Sequence, residues 1–336
     1  MKKHIFLTGC AGFIGSNFVK QIACDPTIKN EYDFTILDSL SYAGRKQTIQ
    51  KDLDEQTHLS FQQVDIRNKE DVELFFSKRK PDGVIHFAAE SHVDRSIENP
   101  NIFAETNVIG TLNLLNSSLK VAELKNNFRF VHVSTDEVYG TLSESDPAFT
   151  ETTPLSPNSP YSASKAGSDM MVRAFHETFK LDTITTRCSN NYGPYQFPEK
   201  LIPLMTLNAI NNKPLPVYGN GKNIRDWIFV DDHNRGIWQA YLKGQAGAIY
   251  NFGGNSERRN IDVVNEILRI LDKPESLIQF VEDRKGHDWR YAIDYRKART
   301  ELDWWPRLTF EEGLTQTVQW YSKNTNWLQM IEQTKQ

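Results

Sequence analysis

Cysteine is scarce in this sequence. Three cysteines, Cys10, Cys24 and Cys188, are spread over 336 residues with no Cys-x-x-Cys pair, and the histidines do not cluster. An odd number of dispersed cysteines argues against a disulfide framework and against a structural zinc site, so we expect no bound metal. Free cysteines suit a reducing compartment, and we therefore expect a cytoplasmic location.

Long hydrophobic runs and clusters of basic residues are also missing. No stretch approaches the ~18 apolar residues of a membrane-spanning helix, and the first apolar run, residues 4–8, is too short for the core of a signal peptide. The net charge is −4, and no basic run indicates binding to nucleic acid or to an anionic membrane. A hydrophobic content of 39% predicts a soluble globular protein, and the length corresponds to about two domains.

Strand-length apolar runs alternate with helical patterns through the first half of the chain. The patterns predict strands at 5–8, 34–38, 59–65, 84–88, 128–134 and 183–188, and helices at 12–23, 68–78, 102–123 and 161–179. This alternation predicts a doubly wound parallel α/β sheet of the Rossmann type. Prolines and glycines interrupt the alternation after residue 190, so we divide the chain into a first domain, 1–189, and a smaller α/β region, 190–336. Some segments of the second part are candidates to return to the first sheet.

A glycine-rich turn follows the first predicted strand. Gly9, Gly12 and Gly15 permit a tight turn and a close approach to a pyrophosphate at the start of the next helix. Asp38 ends the second strand, 23 residues beyond Gly15, near the offset expected for an acid that binds a ribose 2′-hydroxyl. Because an acid there repels a 2′-phosphate, the pattern predicts NAD instead of NADP. The alternative is a plain glycine turn with a helix-capping aspartate. Asp65, at the end of the third strand, is a candidate to contact the adenine. The alternative is that it belongs to a surface turn.

Tyr161 and Lys165 are four residues apart on a predicted helix and therefore share a face. An ammonium beside a phenol favours the phenolate, which predicts a lowered pKa for Tyr161 and a role as general base. An ordinary amphipathic helix would show the same spacing.

A hydroxyl and two carboxyls follow the predicted strand 128–134. Thr135, Asp136 and Glu137 stand at its C-terminal end, the edge at which open α/β sheets bind their ligands. Two neighbouring carboxyls in different surroundings can serve as one acid and one base. The alternative is a turn that caps a helix.

These motifs together resemble the extended short-chain dehydrogenase/reductase superfamily, and within it the dTDP-glucose 4,6-dehydratases. The resemblance covers about residues 4–320. It is carried by TGCAGFIG (8–15), HFAAESHVDRSI (86–97), STDEVYG (134–140), YSASKAGSD (161–169), NNYGPYQFPEKLIP (190–203), RDWIFVDDH (225–233) and DRKGHDWRYAID (283–294). STDEVYG discriminates best, because related epimerases have a small polar pair in place of Asp136 and Glu137 and eliminate no water.

The resemblance implies a mechanism for these residues. Tyr161 would take the proton of the sugar C4 hydroxyl while a hydride passes to NAD. Glu137 would then remove the C5 proton, Asp136 would protonate the departing C6 hydroxyl, and the hydride would return to C6. Thr135 would polarise the C4 oxygen, and Lys165 would orient the ribose. The product would be a 4-keto-6-deoxy sugar.

The same resemblance implies two sets of binding residues. Those for the cofactor are Gly9, Gly12, Phe13, Ile14, Gly15, Asp38, Ser39, Leu40, Ser41, Asp65, Ile66, Phe87, Ala88, Ala89, Thr106, Tyr161, Lys165 and Asn191. Those for the nucleotide sugar are Ser91, Thr135, Asn190, Lys200, Leu201, Pro216, Val217, Tyr218, Arg225, Asn260, Asp283, Arg284 and His287. Arg225 is the candidate for binding the pyrophosphate, since a guanidinium forms bidentate hydrogen bonds with phosphate oxygens. The alternatives are a surface ion pair of Arg225 with Asp226, a structural His287 and a core Tyr218.

Four residues depart from the pattern of the family. Cys10 replaces a glycine in the first turn, where no base accompanies it, so we expect no catalytic role. Gln196, Lys285 and Trp289 replace a histidine, a proline and an arginine near the nucleotide. They leave open a dehydratase that acts on UDP-glucose or UDP-N-acetylglucosamine. A 4-epimerase, a decarboxylase and a non-catalytic nucleotide sensor fit less well, because Asp136, Glu137, Tyr161 and Lys165 are all present.

The resemblance also implies a homodimer. In the superfamily, helices that correspond to residues 106–119 and 162–179 form a four-helix interface between two subunits. Apolar residues beyond one narrow stripe occur on both, namely Val108, Leu112, Leu115, Leu119, Met170, Met171, Ala174 and Phe175. The alternative is that these side chains pack against the sheet of their own subunit.

Overall fold

The computed structural model describes residues 2–125, 127–283 and 286–333. The strands are β1 Lys3–Thr8, β2 Tyr32–Asp38, β3 Leu59–Gln63, β4 Gly83–His86, β5 Arg129–Thr135, β6 Thr183–Cys188, β7 Asn190–Tyr192, β8 Leu215–Tyr218, β9 Ile224–Phe229, β10 Ile249–Phe252, β11 Glu257–Arg259 and β12 Ile278–Val281. The helices are α1 Phe13–Cys24, α2 Pro26–Glu31, α3 Gln50–Glu55, α4 Lys69–Arg79, α5 Val93–Glu98, α6 Pro100–Phe103, α7 Thr111–Ala122, α8 Pro160–Phe179, α9 Leu201–Ile210, α10 Val230–Lys243, α11 Asn260–Leu271, α12 Arg296–Leu302, α13 Phe310–Lys323 and α14 Thr325–Gln333.

A seven-stranded parallel sheet forms the centre of the protein. Its strand order is β10-β6-β5-β4-β1-β2-β3, and β10, from the second half of the chain, pairs with β6. Apolar side chains of α4, α7 and α8 cover one face, and those of α1, α10 and α12 cover the other. Because both faces are covered, the strands are apolar runs without alternation, which is typical of parallel sheets. The structure confirms the predicted doubly wound α/β fold.

Two predicted elements differ from the structure where the chain approaches the site. The predicted strand 84–88 ends at His86, because the amides of Phe87 and Ala88 donate to the carbonyl and the hydroxyl of Thr8. The predicted helix 102–123 contains a π-helical stretch, Ala104–Gly110. π-Helical turns are frequent at functional sites. This one turns the buried Asn107 side chain toward the backbone of Glu90 and the hydroxyl of Ser164.

A smaller layer lies at the C-terminal edge of the main sheet. The strands β7, β9 and β11 form one short sheet, and β8 pairs with β12. Apolar residues of α9, α11 and α13 pack with these strands in a separate core. The arrangement leaves cavities between this layer and the ends of the main strands. Within the described part of the chain, every helix is too short or too polar to cross a membrane.

Candidate active site

The glycine turn brings two backbone segments into close contact. Gly9 has a φ of +73°, and a Cβ there would lie only 2.4 Å from the Cα of Ala88. Any residue with a side chain would therefore collide with the chain that leaves β4. Helix α1 begins directly after its N-cap residue, Gly12, and no described side chain caps this helix start. The free amides at this helix start form a site suited to a phosphate group.

Cys10 lies inside this turn as a buried residue. The side chain is fully buried, and its Sγ packs where a Cβ on Gly15 would lie, at 2.8 Å. Burial raises the pKa of the Cys10 thiol well above its usual value. The residue therefore stays a neutral thiol that fills space behind the turn.

Asp38 ends β2 with its carboxylate fixed in place. One oxygen accepts from the amide of Ala11 and the other from the amide of Leu40, each at 2.8 Å. Burial nevertheless raises the pKa of this group. Leu40 is left-handed, with a φ of 58°, and it does not line the cavity beside Asp38. Its amide orients Asp38 instead.

A cavity of about 290 Å³ extends from the glycine turn to the end of β5. Apart from Leu40, every residue predicted to contact the cofactor lines it, namely Gly9, Gly12, Phe13, Ile14, Gly15, Asp38, Ser39, Ser41, Asp65, Ile66, Phe87, Ala88, Ala89, Thr106, Tyr161, Lys165 and Asn191. Ser91 and Thr135, which were predicted to contact the sugar, also line this cavity.

A second cavity of about 240 Å³ adjoins the first. Of the residues predicted to bind the nucleotide sugar, Asn190, Lys200, Leu201, Pro216, Tyr218, Arg225, Asn260 and His287 line it. Glu137, Asn190 and Lys200 line both cavities. A ligand in one cavity would therefore meet a ligand in the other beside Glu137.

Two predicted sugar contacts, Val217 and Asp283, line neither cavity. Val217 is 1% exposed and belongs to the core of the smaller layer. Asp283 is exposed and does not line the cavity, but its carboxylate contacts the Nδ1 of the cavity residue His287 at 2.6 Å. Arg284 lies outside the described residues, as does Lys285. Tyr218 is 41% exposed at the cavity and is not a core residue.

Arg225 is buried at the second cavity and forms no ion pair with any of the residues that the structure describes. Its guanidinium donates to the carbonyls of Ile224 and Asp288 and lies 4.3 Å from the centre of the Tyr291 ring. Its neighbour Asp226 instead accepts from the amides of Gly254 and Ser256. The guanidinium is therefore a fixed positive charge at the cavity wall.

The two carboxyls after β5 have different surroundings. Asp136 is 2% exposed, and burial, with Glu137 and Asp226 nearby, raises its pKa well above the usual value. Within the described part of the chain, its Oδ2 has no hydrogen-bond partner. Glu137 is half-buried and opens onto both cavities. The Thr135 hydroxyl accepts from the Glu137 amide at 3.3 Å, so the turn is also capped as the alternative interpretation expected.

Tyr161 and Lys165 share a face of α8, which starts with a capping box between Ser159 and Ser162. Both side chains are buried beside Thr135 at the end of the first cavity. The Lys165 ammonium donates to the carbonyl of Val133 at 2.8 Å, and burial lowers its pKa to about 8.

The predicted lowering of the Tyr161 pKa is wrong for this structure. Burial raises that pKa well above the usual value, the nearby Glu137 raises it further, and the Thr135 hydroxyl opposes both. Helical spacing placed the ammonium on the right face, but desolvation of the phenolate is the larger effect.

Other cavity residues were not predicted from the sequence. Glu90 lines the first cavity, burial raises its pKa, and its Oε2 has no partner among the described residues. The signal for Glu90 in the sequence was an acidic residue within the apolar run that follows β4. Trp227 and Tyr291 line the second cavity, and no local pattern distinguishes them from core aromatics. The described residues hold no cluster of His, Cys, Asp or Glu that could bind a metal ion.

Known proteins resemble this chain along nearly its full length. Residues 6–317 match the family model for GDP-mannose 4,6 dehydratase. The chain is 49% identical to the dTDP-glucose 4,6-dehydratase of Neisseria meningitidis serogroup B, over 98% of this chain and 96% of that protein.

Solved structures agree with this relationship. The dTDP-glucose 4,6-dehydratase DesIV of Streptomyces venezuelae, determined with NAD bound, superposes with a TM-score of 0.90 at 44% identity, over 98% of this chain and 99% of that one. The UDP-glucose 4-epimerase of Thermotoga maritima, determined with UDP-glucose, has a TM-score of 0.86 at 29% identity, over 96% and 99% of the two chains. The epimerase shares the fold at a lower identity. The resemblance seen in the sequence is therefore confirmed, and the chain belongs to the dTDP-glucose 4,6-dehydratase family.

Proposed function

We propose that this protein removes water from dTDP-glucose and forms the 4-keto-6-deoxy sugar. One observation carries the proposal: the buried Asp136, whose pKa burial raises, lies next to the half-buried Glu137 where the two cavities meet. Elimination of water across C5 and C6 needs one acid and one base on the same substrate. A 4-epimerase needs neither of them, and the structure provides both.

NAD fits the first cavity. Gly9 leaves room only for backbone beside Ala88, the helix start after Gly12 suits a pyrophosphate, and the fixed carboxylate of Asp38 suits two ribose hydroxyls. The buried oxygen of Glu90, unpartnered among the described residues, also faces a polar ligand there. When bound, NAD supplies the hydride acceptor for C4 and the hydride donor for C6, and its positive ring favours a nearby phenolate.

Tyr161 receives the proton of the C4 hydroxyl. Its raised pKa means that the phenolate needs stabilisation from its surroundings, and the Thr135 hydroxyl acts in that direction. Lys165 adds a positive charge one helical turn away, while its bond to the Val133 carbonyl fixes the ammonium. Once the sugar is bound, the Thr135 hydroxyl donates its one proton to the C4 oxygen in place of the phenol oxygen, which holds the sugar against the phenol.

Glu137 and Asp136 carry out the elimination. Oxidation at C4 makes the C5 proton acidic, and Glu137 is the exposed carboxylate at the cavity junction that removes it. Asp136 gives its proton to the C6 hydroxyl, which then leaves as water. Burial raises the pKa of Asp136 well above the usual value, which favours the acid form that protonates the leaving group. When the hydride returns to C6, Glu137 gives the proton that it removed back to C5. Tyr161 releases its proton, and Asp136 regains one from solvent.

The second cavity binds the nucleotide diphosphate. Arg225 provides a buried, fully charged guanidinium for the pyrophosphate, and Asn260 has a buried amide oxygen that is unpartnered among the described residues. We assign residues 1–189, together with α10, β10 and α12, to the cofactor domain and the remaining part to the substrate domain. The reacting sugar then lies between the two domains, beside Glu137.

Mass spectrometry of the products tests this function. The purified protein is incubated in parallel with dTDP-glucose, UDP-glucose and UDP-N-acetylglucosamine, and the supernatant of heated protein is assayed for NAD. We expect a product lighter by one water from dTDP-glucose, and NAD in the supernatant. Water loss mainly from a UDP sugar would contradict the substrate assignment. An isomer of unchanged mass would instead favour an epimerase.

We also propose a homodimer that forms through α8. Met170 is 45% exposed, and Met171 and Ala174 are exposed on the same helix, close to the exposed Ile109. Leu115 and Phe175 instead lie in the core of their own subunit, with Leu112 and Leu119 packed against it. These four side chains therefore pack within their own subunit, as the alternative interpretation expected. Met170, Met171 and Ala174 remain as candidates for the interface.

The dimer has a direct test. Light scattering should give twice the mass of the chain, and Met170→Lys with Met171→Lys should give the monomer mass, because two charges would be buried in the interface. Monomeric unmodified protein would contradict the proposal. The free cysteines Cys10, Cys24 and Cys188 support a cytoplasmic location for this dimer.

A further inference from the structure

One wall of the first cavity comes from the second half of the chain. Residues 194–200 connect β7 to α9, and we call them the strap. Gln196, Phe197, Glu199 and Lys200 of the strap line the cavity opposite the glycine turn. A ligand in this cavity is therefore enclosed between the first domain and the strap.

The beginning of the strap is rigidly held. Asn17 on α1 donates to the carbonyl of Pro194 at 2.9 Å, and the Tyr321 hydroxyl donates to the carbonyl of Gln196 at 2.5 Å. Between them, Tyr195 is left-handed with a φ of 66°, and its ring lies 4.5 Å from that of Trp320. A residue other than glycine keeps this conformation only where its surroundings enforce it. The bend that directs the strap over the cavity is therefore built in.

The far end of the strap is held by Tyr42. The Tyr42 hydroxyl donates to the Oε1 of Glu199 at 2.9 Å. The Tyr42 ring contacts that of Phe197, with 5.8 Å between centres, and the guanidinium of Arg95 lies 3.7 Å from the Tyr42 ring centre. Nearby, the ammonium of Lys200 donates to the carbonyl of Ser91 at 2.8 Å. Three side chains of the strap, those of Phe197, Glu199 and Lys200, thus contact the first domain directly.

Tyr42 acts from outside the cavity. Its neighbours Ser41 and Ala43 line the cavity, and Tyr42 does not. The hydrogen bond of its hydroxyl to Glu199 therefore connects Tyr42 to the strap and, through the strap, to the cavity. Tyr42 is therefore a positioning residue. A variant at this position tests closure of the strap without changing a side chain that lines the cavity.

We propose that Tyr42 and Glu199 form a clasp that keeps the strap closed and retains the cofactor between the two hydride transfers. The inference rests on the proposed function, in which one cofactor molecule accepts a hydride and returns it within a single turnover. A cofactor that left in its reduced form would leave the enzyme with an oxidised sugar and no hydride to return.

Exchange of bound NAD tests the clasp. Purified protein is loaded with isotopically labelled NAD, mixed with excess unlabelled NAD, and the label that remains bound is followed over time. We expect Tyr42→Phe to speed the exchange roughly tenfold, as for the loss of one hydrogen bond to a charged group. Tyr250→Phe is the matched control, because the Tyr250 hydroxyl donates to Glu301 at 2.8 Å away from the cavities.

A double-variant cycle shows whether the two residues act together. Glu199→Ala, which removes the oxygen that accepts from Tyr42, should also speed the exchange. The double variant should be no faster than the faster single variant, since each change removes the same contact. During turnover, Tyr42→Phe should lose activity progressively and regain it when NAD is added. Additive effects of the two changes would contradict a shared clasp.

The outcomes separate the clasp from the proposed function. If the unmodified protein retains NAD and Tyr42→Phe exchanges it at the same rate as the Tyr250→Phe control, the clasp is wrong and the function stands. If the unmodified protein binds no NAD, the proposed function is wrong, and the clasp with it.

Discussion

Replacement of Glu137 by Gln should stop product formation while C4 oxidation continues. The amide keeps the shape of the side chain but cannot accept the C5 proton, and general bases contribute about 10²–10⁴-fold to rate. We expect product formation to fall about 10³-fold, or about 4 kcal/mol in the barrier. Because the hydride cannot return to C6 before elimination, NADH should accumulate on the enzyme, and its near-ultraviolet absorbance should rise when dTDP-glucose is added.

Tyr161→Phe serves as the control for this result. Without the phenol, C4 oxidation itself should fail, so neither product nor NADH should appear. The two variants thus separate the first step from the second. Full turnover by Glu137→Gln would contradict the role of Glu137 as the base, and a loss of both product and NADH in that variant would place Glu137 in the oxidation step.

Replacement of Asp136 by Asn should block the reaction one step later. The buried amide can still donate a hydrogen bond to the C6 hydroxyl, but it cannot give up a proton, and we expect a rate loss of about 10²–10⁴-fold. Glu137 remains intact in this variant, so solvent deuterium should enter at C5 of the oxidised sugar while no water is lost. Mass spectrometry of the recovered sugar measures both outcomes.

The pH dependence provides the control for Asp136. This group must be protonated to act, so the elimination rate should fall as the pH rises through its pKa. Because burial raises that pKa, the fall should occur at a higher pH than the usual pKa of an aspartate. The fall should be absent from the residual activity of Asp136→Asn. The two variants should differ in the deuterium that enters at C5. If Glu137→Gln incorporated as much as Asp136→Asn, the assignment of Glu137 as the base and Asp136 as the acid would be wrong.

Local patterns predicted much of the fold. Every strand of the seven-stranded sheet except β10 was predicted within a few residues, because buried parallel strands are continuous apolar runs and their helices are amphipathic. The glycine turn and Asp38 indicated a nucleotide site, since strand, turn, helix and acid follow one another closely along the chain. β10 was missed because four residues, Ile249–Phe252, far from the other strands, carry no local signal of the sheet that they join.

The sign of a pKa shift was harder to predict. The sequence placed Lys165 one turn from Tyr161, and that charge was expected to lower the pKa of Tyr161. In the structure, the pKa of Tyr161 is raised instead. For Asp136, neighbouring carboxyls suggested an acid and a base, but only burial shows that Asp136 is the one that keeps its proton. Desolvation depends on every element that packs around a group, and those elements are distant in the chain.

The sequence by itself therefore determined the type of fold, the nucleotide turn and the chemical groups of the site, because each is encoded within a short stretch of chain. Only the tertiary structure decided how those groups work together. It joined two cavities at Glu137, buried Arg225 where an ion pair with Asp226 was an alternative, and brought Tyr42 to Glu199. Such contacts depend on how the strand ends and loops of both domains converge, which no single segment specifies.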